Sequence, residues 1–488
     1  VPAAAPVRRL SSEPRLDAGQ YRWCLSIDIR LQALVEELYR RPTRRAGGAS
    51  TRATVRCWPS CQQAHLRPQP VRRRHRSWRA GSELNESIDK PLLNRALRGT
   101  YPPGSTYKPF MAMAALNTGK RTPGQITMDY GYFMFGNHRF RSHGDEGLGA
   151  VDMARSIVKS SNVYYYALAS EMGVDLIHSQ LEPFSFGRKT GIDLEGEVTG
   201  DLPSTDWKRR KYKRADLQRW YSGETISLGI GQGYNNFTML QLASAMATLV
   251  SGGQRFEPRV VREIENVVTR EKRVVSAQAL SPLAFKPEHV EVIRRAMYGV
   301  TQEGTSTRVF LGASYQSGGK TGTAQAKSIG QNEKYNAARM SEYLRDHSLY
   351  TAFAPVDAPR IALAVIVENS GFGAEAAAPI ARRVLDYALL GQYPSEEDVA
   401  LVRKGQAASP VGAARAAGAV PLPAVRVVSA GAPEAAAASA SSAVTAASAS
   451  APVAAAGAGA SPASVPGLVR APVAVPAVPI VPASGGSR

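Results

Sequence analysis

Cysteine is scarce in this chain. Its three cysteines, Cys24, Cys57 and Cys61, all fall in the first 61 of 488 residues, so no disulfide framework is expected for the bulk of the protein. Long hydrophobic runs are missing as well. No stretch of eighteen or more apolar residues and no signal-peptide core occurs, which leaves no membrane span within the sequence. The seven histidines are scattered and give no His-Glu-x-x-His or related ligand spacing, so neither a metal nor another cofactor is expected. Acidic residues are absent from two long segments. Between Glu37 and Glu83 there are none, and beyond about Gly405 almost none remain in a stretch dominated by Ala, Pro, Ser and Val.

The acid-free segment accumulates Arg44, Arg45, Arg52, Arg56, Arg67, Arg72, Arg73, Arg74, Arg76 and Arg79, interleaved with Trp58, Trp78, Cys57 and Cys61. Such a tract can read as a nucleic-acid or anionic-lipid patch carrying half a zinc site. No second Cys/His pair and no binding module accompany it, so no nucleic-acid partner is expected. Another reading fits better, that residues 40–82 are translated out of frame. With permitted synonymous codons, Ala49 to Cys61 read two bases on spells Ile-Asp-Pro-Arg-Asp-Gly-Ala-Val-Leu-Ala-Phe-Val, a strand-turn-strand pattern. A chain carrying the tract as printed is expected to fold poorly, because it lacks the early strands that the other frame would supply.

Elsewhere the pattern is that of an ordinary globular domain. Ile29 to Tyr39 is apolar at i, i+3 and i+4 and predicts an amphipathic helix after a strand-like start at Leu25. Met153 to Met172 predicts a single helix with Ser160-Ser161-Asn162 near its centre, and Asp129 to Asp152 a loop region. Thr238 to Leu249 and Glu288 to Gly299 predict further helices, and Gly229-Ile230-Gly231-Gln232-Gly233 a close-packed turn. Ser314 to Gln325, His347 to Phe353 and Ile361 to Glu368 read as strands, and Ala376 to Leu390 as a closing helix. Late strands flanked by helices give an α+β class, an antiparallel sheet with helices on its faces. Residues 1–24 read as a linker or the remnant of an upstream region, 25–395 as one domain, and 396–488 as a disordered Ala/Pro/Ser-rich tail.

The chemistry is concentrated in three short motifs. Pro102-Pro103-Gly104 breaks any preceding structure, and Pro109 is tolerated only in the first turn of the helix that follows. Ser105 is thereby placed at a helix start with Lys108 one turn on along the same face, beside free backbone N–H groups. A hydroxyl next to an amine at such a site is an activated nucleophile with oxyanion donors at hand. Downstream stand Ser160-x-Asn162 and Lys320-Thr321-Gly322. The three motifs in this order are those of penicillin-binding proteins and class A β-lactamases.

With Asn94 to Ser105, Gly191 to Ser204, Gly229 to Gly233 and Lys320 to Gln325 around them, these motifs resemble the transpeptidase domain of the penicillin-binding protein 2 family, cell-elongation enzymes of Gram-negative bacteria. The resemblance implies the penicillin-binding protein/serine β-lactamase-like fold and a D,D-transpeptidase that cross-links peptidoglycan stem peptides through a serine acyl-enzyme. In it Ser105 is the nucleophile, Lys108 the base, Ser160 a proton relay, and Asn162 a holder of Lys108 and the substrate amide. Lys320 and Thr321 bind the substrate carboxylate, Gly322 lets the substrate backbone approach the strand, and the N–H groups of Ser105 and Thr323 form the oxyanion hole. The implied partners are peptidoglycan stem peptides, β-lactam antibiotics and membrane proteins of the elongation machinery, including a glycosyltransferase. The implied location is the inner membrane with the catalytic domain in the periplasm, on an anchor that this sequence, read as a C-terminal fragment, does not include. A catalytically silent β-lactam sensor and a class A-like β-lactamase are the alternatives. Some members of the family hold zinc beside the second motif. Of the four matching positions only Asp129 is a ligand type, while Ser142, Leu148 and Ser161 occupy the others, so no metal is expected.

Overall fold

The structure is a computed structural model and describes residues 21–39, 52–55, 93–142, 146–326, 336 and 340–420. Strand β1 (Tyr21–Leu25) leads into helix α1 (Ile29–Tyr39), whose first turn is held by the Asp28 carboxylate accepting from the N–H groups of Arg30 and Leu31 at 2.9 and 3.2 Å. Strand β2 is Arg52–Val55. A largely helical half follows, with α2 (Lys108–Asn117), short strands β3 (Thr127–Asp129), β4 (Tyr132–Phe135), β5 (His138–Arg141) and β6 (Gly149–Val151), and helices α3 (Met153–Val158) and α4 (Asn162–Met172). Helix α5 (Met239–Val250), strand β7 (Val261–Asn266) and helix α6 (Pro287–Gln302) lead to the late strands β8 (Gly318–Ala324), β9 (His347–Ala354) and β10 (Ile361–Val367). Helices α7 (Ala377–Leu390) and α8 (Glu396–Lys404) follow.

The main sheet runs β8-β9-β10-β2 with every neighbouring pair antiparallel. Its central strands are buried on both faces, the situation in which a strand need not alternate with polar residues, and β10 is a continuous apolar run. Ala362, Ala364 and Ile366 of β10 face one core with α5 and α6, while Ile361, Leu363, Val365 and Val367 face a second core with α1 and α7. Burying each such Ile, Leu or Val is worth about 1.5–3 kcal/mol. Helix α2 lies within the first core with every residue from Lys108 to Leu116 buried, which explains why it is apolar all round and shows no polar face.

The expected α+β layering is therefore present, with differences in detail. The helix expected over Met153 to Met172 is two helices, broken at Lys159 to Ser161, where Ser160 takes a left-handed backbone with φ +59°. The expected loop at 129–152 contains two pairs of short strands, β3 with β6 and β4 with β5. Two expected boundaries also move. Tyr21 to Leu25 pairs with β7 and so belongs to the domain rather than to a linker. At the other end, order extends past residue 396. Helix α8 is capped by Ser395, and its Asp398 forms a fully buried ion pair with Arg383 of α7, with Arg383 Nε donating to Asp398 Oδ2 at 2.9 Å. Arg383 Nη1 also donates to the carbonyl of Ala408 at 2.7 Å, and Gln392–Tyr393 pairs with Arg415–Ala416. Composition understated this segment because its ties are to distant residues: the buried ion pair with Arg383, and Val399, Val402 and Ala407 packed into the second core. The rest of the expected tail, residues 1–20, and the basic tract apart from β2 lie outside the described residues.

Candidate active site

Gly104 to Tyr107 form a 3₁₀ turn that runs directly into α2. Side chains three apart eclipse in such a turn, so Ser105 and Lys108 share a face as expected, with the N–H of Lys108 donating to the carbonyl of Ser105. Tyr107 anchors the turn in the core against Phe186 and Phe237, with ring centroids 5.8 and 5.9 Å away. Ser105 itself is half-buried while its neighbours Gly104 and Thr106 are buried. Gly104 has φ +53°, and a Cβ there would lie 2.5 Å from the carbonyl oxygen of Thr323. The Ser105 turn is thus pressed against β8, and only glycine permits the approach. The Gly229–Gly233 loop closes the other side: the N–H of Gly104 donates to the Gly231 carbonyl at 3.0 Å, and Gln232 Nε2 donates to the Thr323 carbonyl at 2.9 Å.

Lys108 is fully buried. Its amine donates to Asn162 Oδ1 at 2.7 Å, to the Ser160 carbonyl at 2.8 Å and to Ser160 Oγ at 3.2 Å, and lies 5.5 Å from the centroid of the Tyr165 ring. Lys320, also fully buried, donates to the same Ser160 Oγ at 2.8 Å and to the Thr321 carbonyl at 3.2 Å. Two amines therefore converge on one hydroxyl. Burial drives Lys108 well below the ordinary lysine value, the charge on Lys320 pushes it further, and the Asp129 carboxylate opposes both. Burial also pushes Lys320 down to about 7. Desolvation disfavours the ammonium of both, and the charge on Lys320 further disfavours that on Lys108, so both amines give up a proton more readily than an exposed lysine. Ser160 reaches this position through its left-handed backbone, a conformation that costs a non-glycine residue about 1–3 kcal/mol and is kept where surrounding contacts over-determine it.

Strand β8 is the edge of the sheet. The Thr323 carbonyl points away from β9 toward Gln232, and because the N–H and C=O of one residue share a side of a strand, the N–H groups of Thr321 and Thr323 also face the open edge. Thr321 Oγ1 pairs with Thr305 Oγ1 at 2.7 Å. A Cβ at Gly322 would lie 2.8 Å from Thr106 Cγ2 and 3.0 Å from the Pro103 carbonyl oxygen. The missing side chain at 322 thus makes room for the Ser105 turn on the face of the strand, a part beside the expected one of admitting a substrate backbone.

The structure therefore brings Lys108, Ser160, Asn162 and Lys320 into direct contact, with Ser105, Thr321, Gly322 and Thr323 around them. Sequence reasoning did not single out Gln232, Thr305 or the link between Asp129 and Ser161. Gln232 carries a weak signal, a polar residue set between glycines, and the others carry none because their partners are distant in sequence. Asp129 uses one carboxylate oxygen to accept the N–H of Gly131 and the other to accept the hydroxyl of Ser161, at 2.8 and 2.6 Å. Among the described residues no group of three His, Cys, Asp or Glu could hold a metal ion, and a donor set of one engaged carboxylate, hydroxyls and a leucine does not suit zinc.

The family model for the penicillin binding protein transpeptidase domain matches residues 70–386. The peptidoglycan D,D-transpeptidase MrdA of Haemophilus influenzae is 39% identical over 320 residues, 64% of this chain and 48% of that one. MrdA of Acinetobacter baumannii is 42% identical over 311 residues, 63% of this chain and 45% of that one. The chain thus spans about half the length of the curated relatives it matches. Among solved structures, PBP2 of Pseudomonas aeruginosa is 33% identical with a TM-score of 0.62, covering 77% of each chain. From its motifs, its fold and these likenesses, the chain belongs to the penicillin-binding protein transpeptidase family.

Proposed function

We propose that this chain carries a serine-type D,D-transpeptidase centre that cross-links peptidoglycan stem peptides and is acylated by β-lactams. The observation that carries the reading is the convergence on Ser160 Oγ of Lys320 and of Lys108, which lies one turn on from Ser105. The neutral Lys108 amine accepts the Ser105 proton as Oγ attacks the penultimate D-alanine carbonyl. The N–H groups of Ser105 and Thr323 hold the resulting oxyanion, and losing one such donor typically costs roughly 10²–10³ in rate. The tetrahedral intermediate collapses with cleavage of the C–N bond, and the Ser160 hydroxyl passes a proton from the lysine pair to the departing D-alanine nitrogen. An acceptor amine then attacks the ester, and Ser105 regains its proton.

Lys320 and Thr321 receive the terminal carboxylate of the substrate, and the open edge of β8 pairs with its backbone. Asn162 fixes the Lys108 amine and the substrate amide. In this proposal the domain works at the inner membrane on its periplasmic side, alongside membrane proteins of the elongation machinery. Among the described residues no helix is long and apolar enough to cross a membrane.

The test follows a fluorescent penicillin and a stem pentapeptide together. Stable labelling of the parent, no labelling of Ser105→Ala, and release of D-alanine with formation of a cross-linked product support the proposal. Loss of label within minutes would make the protein a β-lactamase, and stable label with no D-alanine release would make it a sensor.

A further inference from the structure

The reacting network depends on one backbone distortion. Ser160 presents its hydroxyl to both lysines only because it adopts φ +59° between α3 and α4. The residue after it ties this turn down. Ser161 is the N-cap of α4, its Oγ accepting the N–H of Tyr164 at 3.2 Å, and its own N–H donates to the Ser156 carbonyl at 3.0 Å. Its hydroxyl proton goes elsewhere, to Asp129 Oδ2 at 2.6 Å, across 32 residues of sequence. Asp129 is 1% exposed, and its second oxygen is held by the N–H of Gly131 at 2.8 Å.

Helix capping alone does not explain this arrangement. A cap needs only an acceptor, which Ser161 supplies with a lone pair. Burying a carboxylate to receive the remaining proton is costly unless each oxygen is paired, and here each oxygen has a donor. A buried carboxylate bound to the residue between Ser160 and Asn162 fixes both neighbours at once.

We propose that the hydrogen bond from Ser161 to Asp129 is a clamp that positions Ser160 for acyl transfer, making Asp129 and Ser161 positioning residues for the reaction proposed above, on which this inference rests. The clamp acts most directly on the proton relay and reaches Lys320 only through its hydrogen bond to Ser160 Oγ. The field of Asp129 also acts on Lys108, opposing the effect of burial on that amine.

The direction of the hydrogen bond supplies the test. Stopped-flow acylation of the full 488-residue chain by a chromogenic cephalosporin separates the binding constant from the limiting acylation rate. Ser161→Asp keeps the cap but cannot donate and faces Asp129 with a like charge. It should lower the limiting rate about 100-fold, the cost typical of a roughly 1 Å misplacement, with a much smaller change in the binding constant. Asp129→Asn alone should lower the rate by a smaller factor, about tenfold on the same scale. The double variant Asp129→Asn/Ser161→Asp reverses donor and acceptor. Its new amide donates to the carboxylate introduced at position 161 while the amide oxygen still accepts from Gly131, and that carboxylate still caps α4. The rate of the double variant should return to within about threefold of the parent.

A double variant no faster than Ser161→Asp, or single variants at the parent rate, would overturn the clamp. Should Ser161→Asp fail to fold, Ser161→Asn and Ser161→Gly make the same comparison. Asparagine caps and donates and should keep the parent rate, whereas glycine caps at little cost but cannot donate and should be slowed. Equal rates for the two would overturn the proposal. A parent chain that melts cooperatively yet is not acylated at all refutes the serine reading and the clamp with it.

Discussion

Replacing Gly104 with alanine tests whether the contact between the nucleophile turn and β8 sets the reaction geometry. The residue has φ +53°, and the new Cβ would meet the oxygen, carbon and nitrogen of Thr323 at 2.5, 3.0 and 3.2 Å. The left-handed backbone alone costs alanine about 1–2 kcal/mol. Restoring ordinary contact at 3.4 Å requires the turn and the strand to part by about 0.9 Å, and such overpacking typically costs a further 1–3 kcal/mol, roughly. Because Ser105 and Thr323 both lie at this contact, the separation also displaces the nucleophile from the oxyanion donor. A shift of about 1 Å can cost on the order of 100-fold in rate. Gly119 provides the control. It has φ +67° and no atom within 4 Å of its virtual Cβ, so Gly119→Ala should show the backbone cost without the displacement. Fluorescent-penicillin acylation read beside thermal melting separates the two effects. Gly104→Ala should lose both stability and acylation, and Gly119→Ala stability alone. Gly104→Ala acylating at the parent rate would refute the reasoning.

Three further outcomes are expected. Lys320 has its pKa near 7 in the folded chain and near 10.5 unfolded, so the unfolded state binds more protons between those values and the stability associated with this group rises with pH across that window. Lys320→Met should therefore be more stable than the parent in urea unfolding at pH 6, by up to about 5 kcal/mol on the linkage scale, with the advantage shrinking toward pH 10; an advantage independent of pH would contradict the assignment. Asp398→Ala leaves Arg383 buried without its carboxylate and should cost about 3–5 kcal/mol in urea unfolding, while Arg383→Met/Asp398→Leu should recover most of it. Sequencing the gene across residues 40–82 should reveal the strand-turn-strand pattern in the second frame, and stop codons there would refute that reading.

Much of this architecture is legible in the sequence because it rests on local patterns. The continuous apolar run of β10, the stripe of α1 and the proline-glycine entry to Ser105 each state their structure within a few residues. Other features depend on contacts between distant residues. Nothing local in Lys159-Ser160-Ser161 distinguishes a helix interior from a break, since apolar periodicity continues on both sides; the break is fixed by Lys108, Lys320 and Asp129, which arrive from elsewhere. Likewise Asp398 reads as an ordinary charge in the first turn of a helix until Arg383 is found buried beside it. Gly322 shows the intermediate case. The motif identifies the residue, but its physical reason, room for Thr106 and Pro103, emerges only when the turn and the strand are seen together.

The central claim is that Ser105 forms the acyl-enzyme, and intact-protein mass spectrometry followed by peptide mapping after incubation with benzylpenicillin tests it most directly. The account predicts one adduct of the mass of the whole antibiotic, located on Ser105, slow to appear in Lys108→Ala and absent from Ser105→Ala. An adduct mapped to any other residue, or one that persists in Ser105→Ala, would contradict it.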